Sequence, residues 1–448
     1  MTETIEEFAS VDKPPSYYEK LNRDINELNN RLHAFNLLSK IDRGVPFSVK
    51  DNICVNGVES TAGSPILKGY IPPFDATVVE KIKQASFSFI GKTSMDEFGF
   101  GTFGINCDTP AKNPFDEERV AGGSSSGAAV ATAILKHHIA IAESTGGSIS
   151  APAAFCGVVG FTPTYGAVSR YGLIDYANSL DKIGVMARNS SDLRYAFDII
   201  RGTDDYDSTC TNRAIENFST NKLTVIKELV ENVDSEILEP FNSLLDTLKG
   251  QGYSVEYKSL EILKQSIPAY YIISMAEAST NLAKYTGFKY GHKNMEFTEN
   301  YNLFFTNSRT AFGTEAKRRV ILGTFVRSAS VKNRYYFKAL NIRNTIIAAL
   351  KETLKDSLII SPTMPVFTPK FSEVKELTPV QNYSMDAITI PPNLSGLPHM
   401  SFPYTYLNGM PVGAQIVTDH FNDYALISFL EAWEKSFKPK FKYNIGAI

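Results

Sequence analysis

At 448 residues, with 43% hydrophobic and 21% charged side chains, the chain has the composition of a soluble globular protein with a large buried core, which excludes a disordered chain or a small stapled scaffold. Its 45 basic and 48 acidic residues leave a net charge of −3 and no overall positive field for holding nucleic acid, so any RNA is expected to bind mainly a partner. The cysteines, Cys54, Cys107, Cys156 and Cys210, form no C-x-x-C pair, and the six histidines show no metal-ligand spacing, so no metal site is expected.

The opening MTETIEEFAS has neither the apolar stretch of a secretory signal nor the Arg-rich pattern of a transit peptide, so no targeting segment is expected. No apolar run reaches the roughly 18 residues of a membrane span. Tyr18, Leu21, Ile25, Leu28 and Leu32 recur at three and four residues and predict a helix within 15–40. From Gly44 to about Gly202 the texture changes to short apolar segments broken by glycine and serine, where chemistry is expected. Within it, the small-residue run from Gly127 to Leu135 predicts a buried helix, and His138 to Ala142 a core strand. Lys222 to Ile226 reads as a strand, Ile237, Phe241, Leu244, Leu245 and Leu248 as a helix face, and Tyr253 to Tyr257 as a strand. Residues 268–350 are mostly helical in pattern. Leu358 to Pro362 and Val412 to Val417 predict late strands, and Ala425 to Trp433 a closing helix. The alternation indicates an α/β protein, without internal repeat or Pro-rich linker.

Three motifs compete for the chemistry. Gly91-Lys92-Thr93 suggests a phosphate loop, but the glycine required five residues earlier is Ser86. Gly99-x-Gly101-x-x-Gly104 fits a dinucleotide fingerprint, yet it follows no apolar strand, and Asn106, Asp108 and Pro110 deny it a helix. Gly123-x-Ser125-x-Gly127 fits a nucleophile elbow, with His399 and His420 as later partners; spacing alone leaves that arrangement open.

A stronger constellation joins Val45-Pro-Phe-Ser-Val-Lys-Asp-Asn52, Gly122-Gly-Ser-Ser-Ser-Gly127 and Ser144-Thr-Gly-Gly-Ser148. With Gly91 to Phe98, Gly157 to Gly166 and Ser179 to Gly184, these ordered blocks resemble the amidase signature family. The resemblance implies a large mixed β-sheet covered by helices on both faces and one amidase domain over 1–448: an N-terminal helical segment 1–40, a signature core 41–210, additions 211–350 forming part of the substrate pocket, and a return to the core in 351–448. It further implies a catalytic triad of nucleophile Ser148, bridging Ser124 with a cis peptide, and base Lys50, with an oxyanion hole along Thr145, Gly146, Gly147 and Ser148. The logic is coherent. A serine hydroxyl needs a proton acceptor, and burial disfavours the charged form of a lysine that would otherwise be protonated.

Later blocks, Phe312 to Phe325, Ala339 to Arg343 and Asp386 to Gly396, narrow the resemblance to the glutaminase subunits of glutamyl-tRNA(Gln) amidotransferases, which release ammonia from glutamine. That likeness implies Arg343 on the α-carboxylate of glutamine, Asp386 on its α-ammonium and Tyr290 as a third contact. It also implies a heterotrimer with a B subunit, which holds the ATP, magnesium and mischarged Glu-tRNA(Gln), and a small third subunit, with no cofactor in this chain. Ser126, Ala128, Ser144 and Ser150 depart from the common bacterial pattern, and losing an aspartate at 144 and an arginine at 150 is expected to alter the bracing of the loop. The departures and short acidic start resemble a fungal mitochondrial form, implying the matrix, with the cytoplasm as the alternative. Rival functions are a freestanding amidase on another small or acyl amide, and an inactive scaffold subunit.

Overall fold

Eleven short strands pair into one mixed sheet in a computed structural model that describes residues 3–211, 213–215, 218–292, 297 and 300–436. In chain order the strands are β1 (Phe35–Leu38), β2 (Val45–Lys50), β3 (Phe87–Thr93), β4 (Ile139–Ser144), β5 (Val159–Thr162), β6 (Lys182–Ala187), β7 (Lys222–Ile226), β8 (Ser254–Lys258), β9 (Leu358–Pro362), β10 (His399–Leu407) and β11 (Met410–Val417). Their order across the sheet is β1-β3-β2-β4-β6-β5-β10-β11-β9-β7-β8. β3, β2 and β4 run parallel, β6 and β5 turn antiparallel, and β9, β7 and β8 form a second parallel group.

β4 shows why the sheet is covered on both faces. Its Ile139 and Ile141 join a core with Val78, Val79 and Ile82 of the Thr77–Gln84 helix and Leu193, Ala196 and Phe197 of the Ser190–Ile200 helix. Its Ala140 and Ala142 face the other way, into a core with the Ser126–Ile134 helix, whose nine residues are all buried. Alanine on both sides lets that helix approach closely, and each large aliphatic side chain buried on the opposite face stabilises the layer by about 1.5–3 kcal/mol.

The N-terminal helix spans Pro15–Leu32, opening with proline in its first turn and ending at His33 in a left-handed conformation. It buries the five residues that the sequence pattern selects, and the chain then returns as β1 on the sheet edge. Residues 268–350 supply the Ser266–Asn281, Thr314–Arg327 and Tyr336–Thr353 helices, packed on one another and carrying Tyr270, Tyr271 and Arg319 toward the ends of the central strands. No described helix is long and apolar enough to cross a membrane.

Candidate active site

The site forms at the carboxyl edge of β3, β2 and β4, where open α/β sheets present groups to ligands. Lys50 ends β2, Glu143 is the penultimate residue of β4, and the parallel register sets them side by side. Lys50 is fully buried. Its Nζ lies 2.7 Å from Ser124 Oγ, 3.0 Å from the Glu143 carbonyl oxygen and 2.9 Å from Glu143 Oε2. An ammonium would donate to all three, whereas a neutral amine would donate twice and accept from the Ser124 hydroxyl, so the same geometry accommodates both ends of a proton transfer.

Ser124 is reached through a cis Gly123–Ser124 peptide. Asp96 braces this turn: its carboxylate accepts the N–H groups of Gly104 at 3.0 Å and Asn106 at 2.7 Å, and its own N–H donates to the Ser124 carbonyl at 3.1 Å. That carboxylate packs where a Cβ on Gly123 would stand, which explains the glycine. Ser148 follows β4 across the Thr145-Gly146-Gly147 loop. Its carbonyl accepts the Ser125 N–H at 3.3 Å, while its side chain bonds no described residue and faces the pocket. Thus the Lys50–Ser124 half of the expected relay is hydrogen-bonded, and the Ser124–Ser148 half is not closed in this structure.

The N–H groups of Gly146, Gly147 and Ser148 meet no acceptor among the described residues, which leaves them available to a developing oxyanion. A Cβ on Gly146 would stand 2.8 Å from Tyr270 Oη, and one on Gly147 would collide with Thr389. The loop is not left unbraced by the serines at 144 and 150. Asn393 donates to the Thr145 carbonyl and, at 3.2 Å, to that of Leu180. Beneath it, Thr145 Oγ1 lies 2.7 Å from Glu143 Oε1 and 2.8 Å from Asp181 Oδ1, and Asn52 donates to Glu143 Oε2 at 3.0 Å. Burial first, and then the Glu143 carboxylate, push the Asp181 carboxyl well above its ordinary range. Ser150 Oγ is buried without a partner among the described residues.

Ser148 faces a small pocket that is also lined by Gly99, Gly101, Gly123, Gly147, Tyr270, Tyr271, Arg319 and Asp386. Asp386 accepts from Tyr271 Oη at 2.8 Å and Thr102 Oγ1 at 3.0 Å. Burial pushes its carboxyl up to about 6, against the pull of those two bonds and of Arg319. The Arg319 guanidinium is fixed by Glu315 at 2.8 Å and by Tyr176, and lies 4.8 Å from the Phe100 ring centre.

Two expected substrate contacts are not brought here. Arg343 spends its donors on the Leu394 carbonyl at 2.8 Å, Ser179 Oγ at 2.9 Å and the Ser179 carbonyl at 2.8 Å. It braces the loop before β6 and does not line the pocket, where the cation is Arg319. Tyr290 is 47% exposed and lies edge-on to Tyr70, also away from the pocket. Arg319 lies within the Phe312–Phe325 block, Asp181 within Ser179–Gly184 and Asn52 within Val45–Asn52; the signals are on those stretches, but no spacing rule singles out which polar residue turns inward.

The model of the Amidase family matches residues 19–427. The chain belongs to the amidase family. It is 40% identical to the A subunit of glutamyl-tRNA(Gln) amidotransferase from Sulfolobus acidocaldarius over 97% of this chain and 96% of that one. Its identity to the protein of the same name from Methanospirillum hungatei is 40% over 88% and 92% of the two chains. The crystal structure of the corresponding A subunit from Thermotoga maritima superposes with a TM-score of 0.84 at 34% identity, covering 99% of this chain and 98% of that one. A 6-aminohexanoate cyclic dimer hydrolase shares the fold, with a TM-score of 0.81 at 21% identity over 95% and 94% of the chains.

The competing motifs have other uses in this amidase. Lys92 is buried in β3, bonded to Ser60 Oγ at 2.9 Å and the Ile53 carbonyl. Gly99 and Gly101 line the pocket, and no α-helix opens at Gly104. Ser125 donates to the Glu143 carbonyl at 3.1 Å, while His399 and His420 contact the carbonyls of Leu397 and Ser395; among the described residues no histidine serves Ser125. Among the described residues no group of His, Cys, Asp and Glu could hold a metal ion.

Proposed function

We propose that this chain is the glutaminase component of a glutamyl-tRNA(Gln) amidotransferase, hydrolysing glutamine to supply ammonia for conversion of Glu-tRNA(Gln) to Gln-tRNA(Gln). The observation that carries this reading is that Arg319 and Asp386 both line the pocket that Ser148 faces. A free amino acid offers an anionic carboxylate and a cationic ammonium on one carbon. Arg319 and Asp386 supply opposite charges for them, leaving the side-chain amide to reach the serine. The relative at 40% identity carries the name of that component over nearly the whole chain.

In the reaction, Ser148 Oγ bonds to the amide carbon as its proton passes to Ser124 and the Ser124 proton passes to Lys50. The charge that develops on the carbonyl oxygen meets the N–H groups of Gly146, Gly147 and Ser148. The proton returns through Ser124 to the leaving nitrogen, ammonia departs, and water cleaves the glutamyl ester by the same relay in reverse. A B subunit would bind ATP, magnesium and the mischarged tRNA, and a small third subunit would brace the assembly; the near-neutral charge of this chain agrees with RNA being held elsewhere.

Ser148→Ala in the assembled complex tests this. Glutamine-dependent transamidation should disappear while amidation supported by added ammonium salts persists. Full glutamine-dependent activity in the variant would instead mark the chain as a scaffold. Rapid hydrolysis of diverse amides by the isolated chain, without preference for glutamine, would mark it as a freestanding amidase.

A further inference from the structure

The assigned relay ends at Lys50, but the hydrogen-bonded chain does not. Behind Lys50 Nζ lies Glu143 Oε2, behind Glu143 Oε1 the Thr145 hydroxyl, and behind that Asp181 Oδ1. All four side chains are buried. A hydroxyl has one proton to donate, yet Thr145 Oγ1 stands within hydrogen-bond distance of two carboxyl oxygens that touch nothing else polar among the described residues. Two ionised carboxylates cannot both be satisfied there. One must be protonated and donate to Thr145.

The partners decide which. Glu143 Oε2 accepts from Lys50 and Asn52, so Glu143 is the oxygen pair that faces a cation. Asp181 Oδ2 accepts only the N–H groups of Tyr176 and Ala177, at 2.9 Å each, and no cation among the described residues pairs with Asp181. Among the described residues around this chain, Tyr176 and Tyr165 beside Asp181 and Asp96 beside Lys50 are held toward their neutral forms by burial, and the charged Arg319 guanidinium is bonded to Tyr176. The resting arrangement is therefore Asp181 Oδ1–H donating to Thr145, Thr145 donating to Glu143, and Glu143 facing Lys50.

We propose that Glu143 is the proton partner of Lys50, with Thr145 and a neutral Asp181 holding it in place, so that one proton is shared between the Lys50 amine and the Glu143 carboxyl. This rests on the reading of Lys50 as the base. The step balances: the Lys50 ammonium gives a proton to Glu143 Oε2, leaving a neutral amine and a carboxylic acid. The amine takes the Ser124 proton as Ser124 takes that of Ser148 and Ser148 Oγ bonds to the amide carbon. Lys50 is then an ammonium facing the negatively charged intermediate, and it returns that proton through Ser124 to the leaving nitrogen. Glu143 and Asp181 are positioning and proton-holding residues, since neither lines the substrate pocket. The arrangement lets a buried lysine shed its proton without access to solvent, which is what a base sealed under a loop requires.

Glu143→Gln keeps the shape and cannot take a proton. In the assembled complex, kcat for glutamine hydrolysis at saturating glutamine is measured against pH, a readout that excludes the binding role of Asp386. Wild type loses activity only when a second proton reaches the pair; in the variant Lys50 must lose its proton to solvent. The acidic limb of kcat should therefore rise by about one pH unit or more, with the rate recovering at higher pH, and Glu143→Asp should restore the limb toward wild type. A uniform fall at every pH with an unmoved limb would show a merely structural role and overturn the proposal. Infrared difference spectra give a second reading without activity: wild type should show the C=O band of a neutral carboxylic acid that is absent in Asp181→Asn, and a spectrum without that band would overturn it as well. Absence of glutamine hydrolysis in wild type would count against the glutaminase reading while leaving the infrared result to stand.

Discussion

Asp386 is buried against Tyr271 and Thr102, and its carboxyl is pushed up to about 6. Only the ionised form can pair with the ammonium of glutamine, so the KM for glutamine should climb by about tenfold per pH unit below that value while kcat holds. Asp386→Asn should raise KM at neutral pH and abolish this pH dependence. Its effect on folding has the opposite sign. Because the folded-state value lies above the unfolded one, the ionised carboxylate destabilises the fold at high pH, and that cost starts to shrink as pH falls through about 6 and is gone below the unfolded value of 3.8. The variant should melt at a higher temperature than wild type at pH 8, with the difference closing toward pH 4, as followed by thermal denaturation. Arg319→Met should raise KM for glutamine by about tenfold or more, the scale of a lost hydrogen bond to a charged group. Arg343, bonded to carbonyls outside the pocket, should affect stability in preference to KM when changed.

At the scale of elements, the edge of β2 and β4 is legible where chain order and glycine spacing are local. The Ser144–Ser148 loop, the buried small-residue helix and the strand after it follow from period and composition, and the structure places them as read, with β4 starting at Ile139 and running on to Ser144. Short strands such as β5 and β6 are not separable from loops, because runs of four to six buried residues carry no alternation when helices cover both faces. The same limit explains Arg343. On helices of mixed polarity, charge at Arg319 and at Arg343 looks alike, and only the turn of the Thr314–Arg327 helix under Tyr176 and Tyr271 decides which cation enters the pocket. Glu143 stands in the sequence only as the flank of a glycine motif, although it lies beside Lys50 on the neighbouring strand. Packing here is also testable. Ala140→Leu would drive added volume between β4 and the Ser126–Ile134 helix and should destabilise by about 1–3 kcal/mol in urea unfolding, with little change in KM.

Across the whole molecule, one sheet carries both the strands of the site and those of the C-terminal half. Trp433, the single tryptophan, is buried against Phe402 of β10, well along the sheet from Lys50. Because β6, β5 and β10 pair without a break between them, loss of Trp433 fluorescence and loss of glutamine hydrolysis should coincide in urea; separated midpoints would show that the two halves unfold independently. The segment from Asp386 to Gly396 adds a second tie, since Asp386 faces the pocket while Asn393 grips the Thr145 and Leu180 carbonyls. Asp386, the proposed anchor for the amino end of a substrate, and Asn393, which holds the loop proposed to receive its carbonyl, are thus parts of one short stretch of backbone. Their separation acts as a ruler: asparagine, one methylene shorter, cannot rest on both marks at once, and its kcat/KM should fall about 10- to 200-fold below that of glutamine.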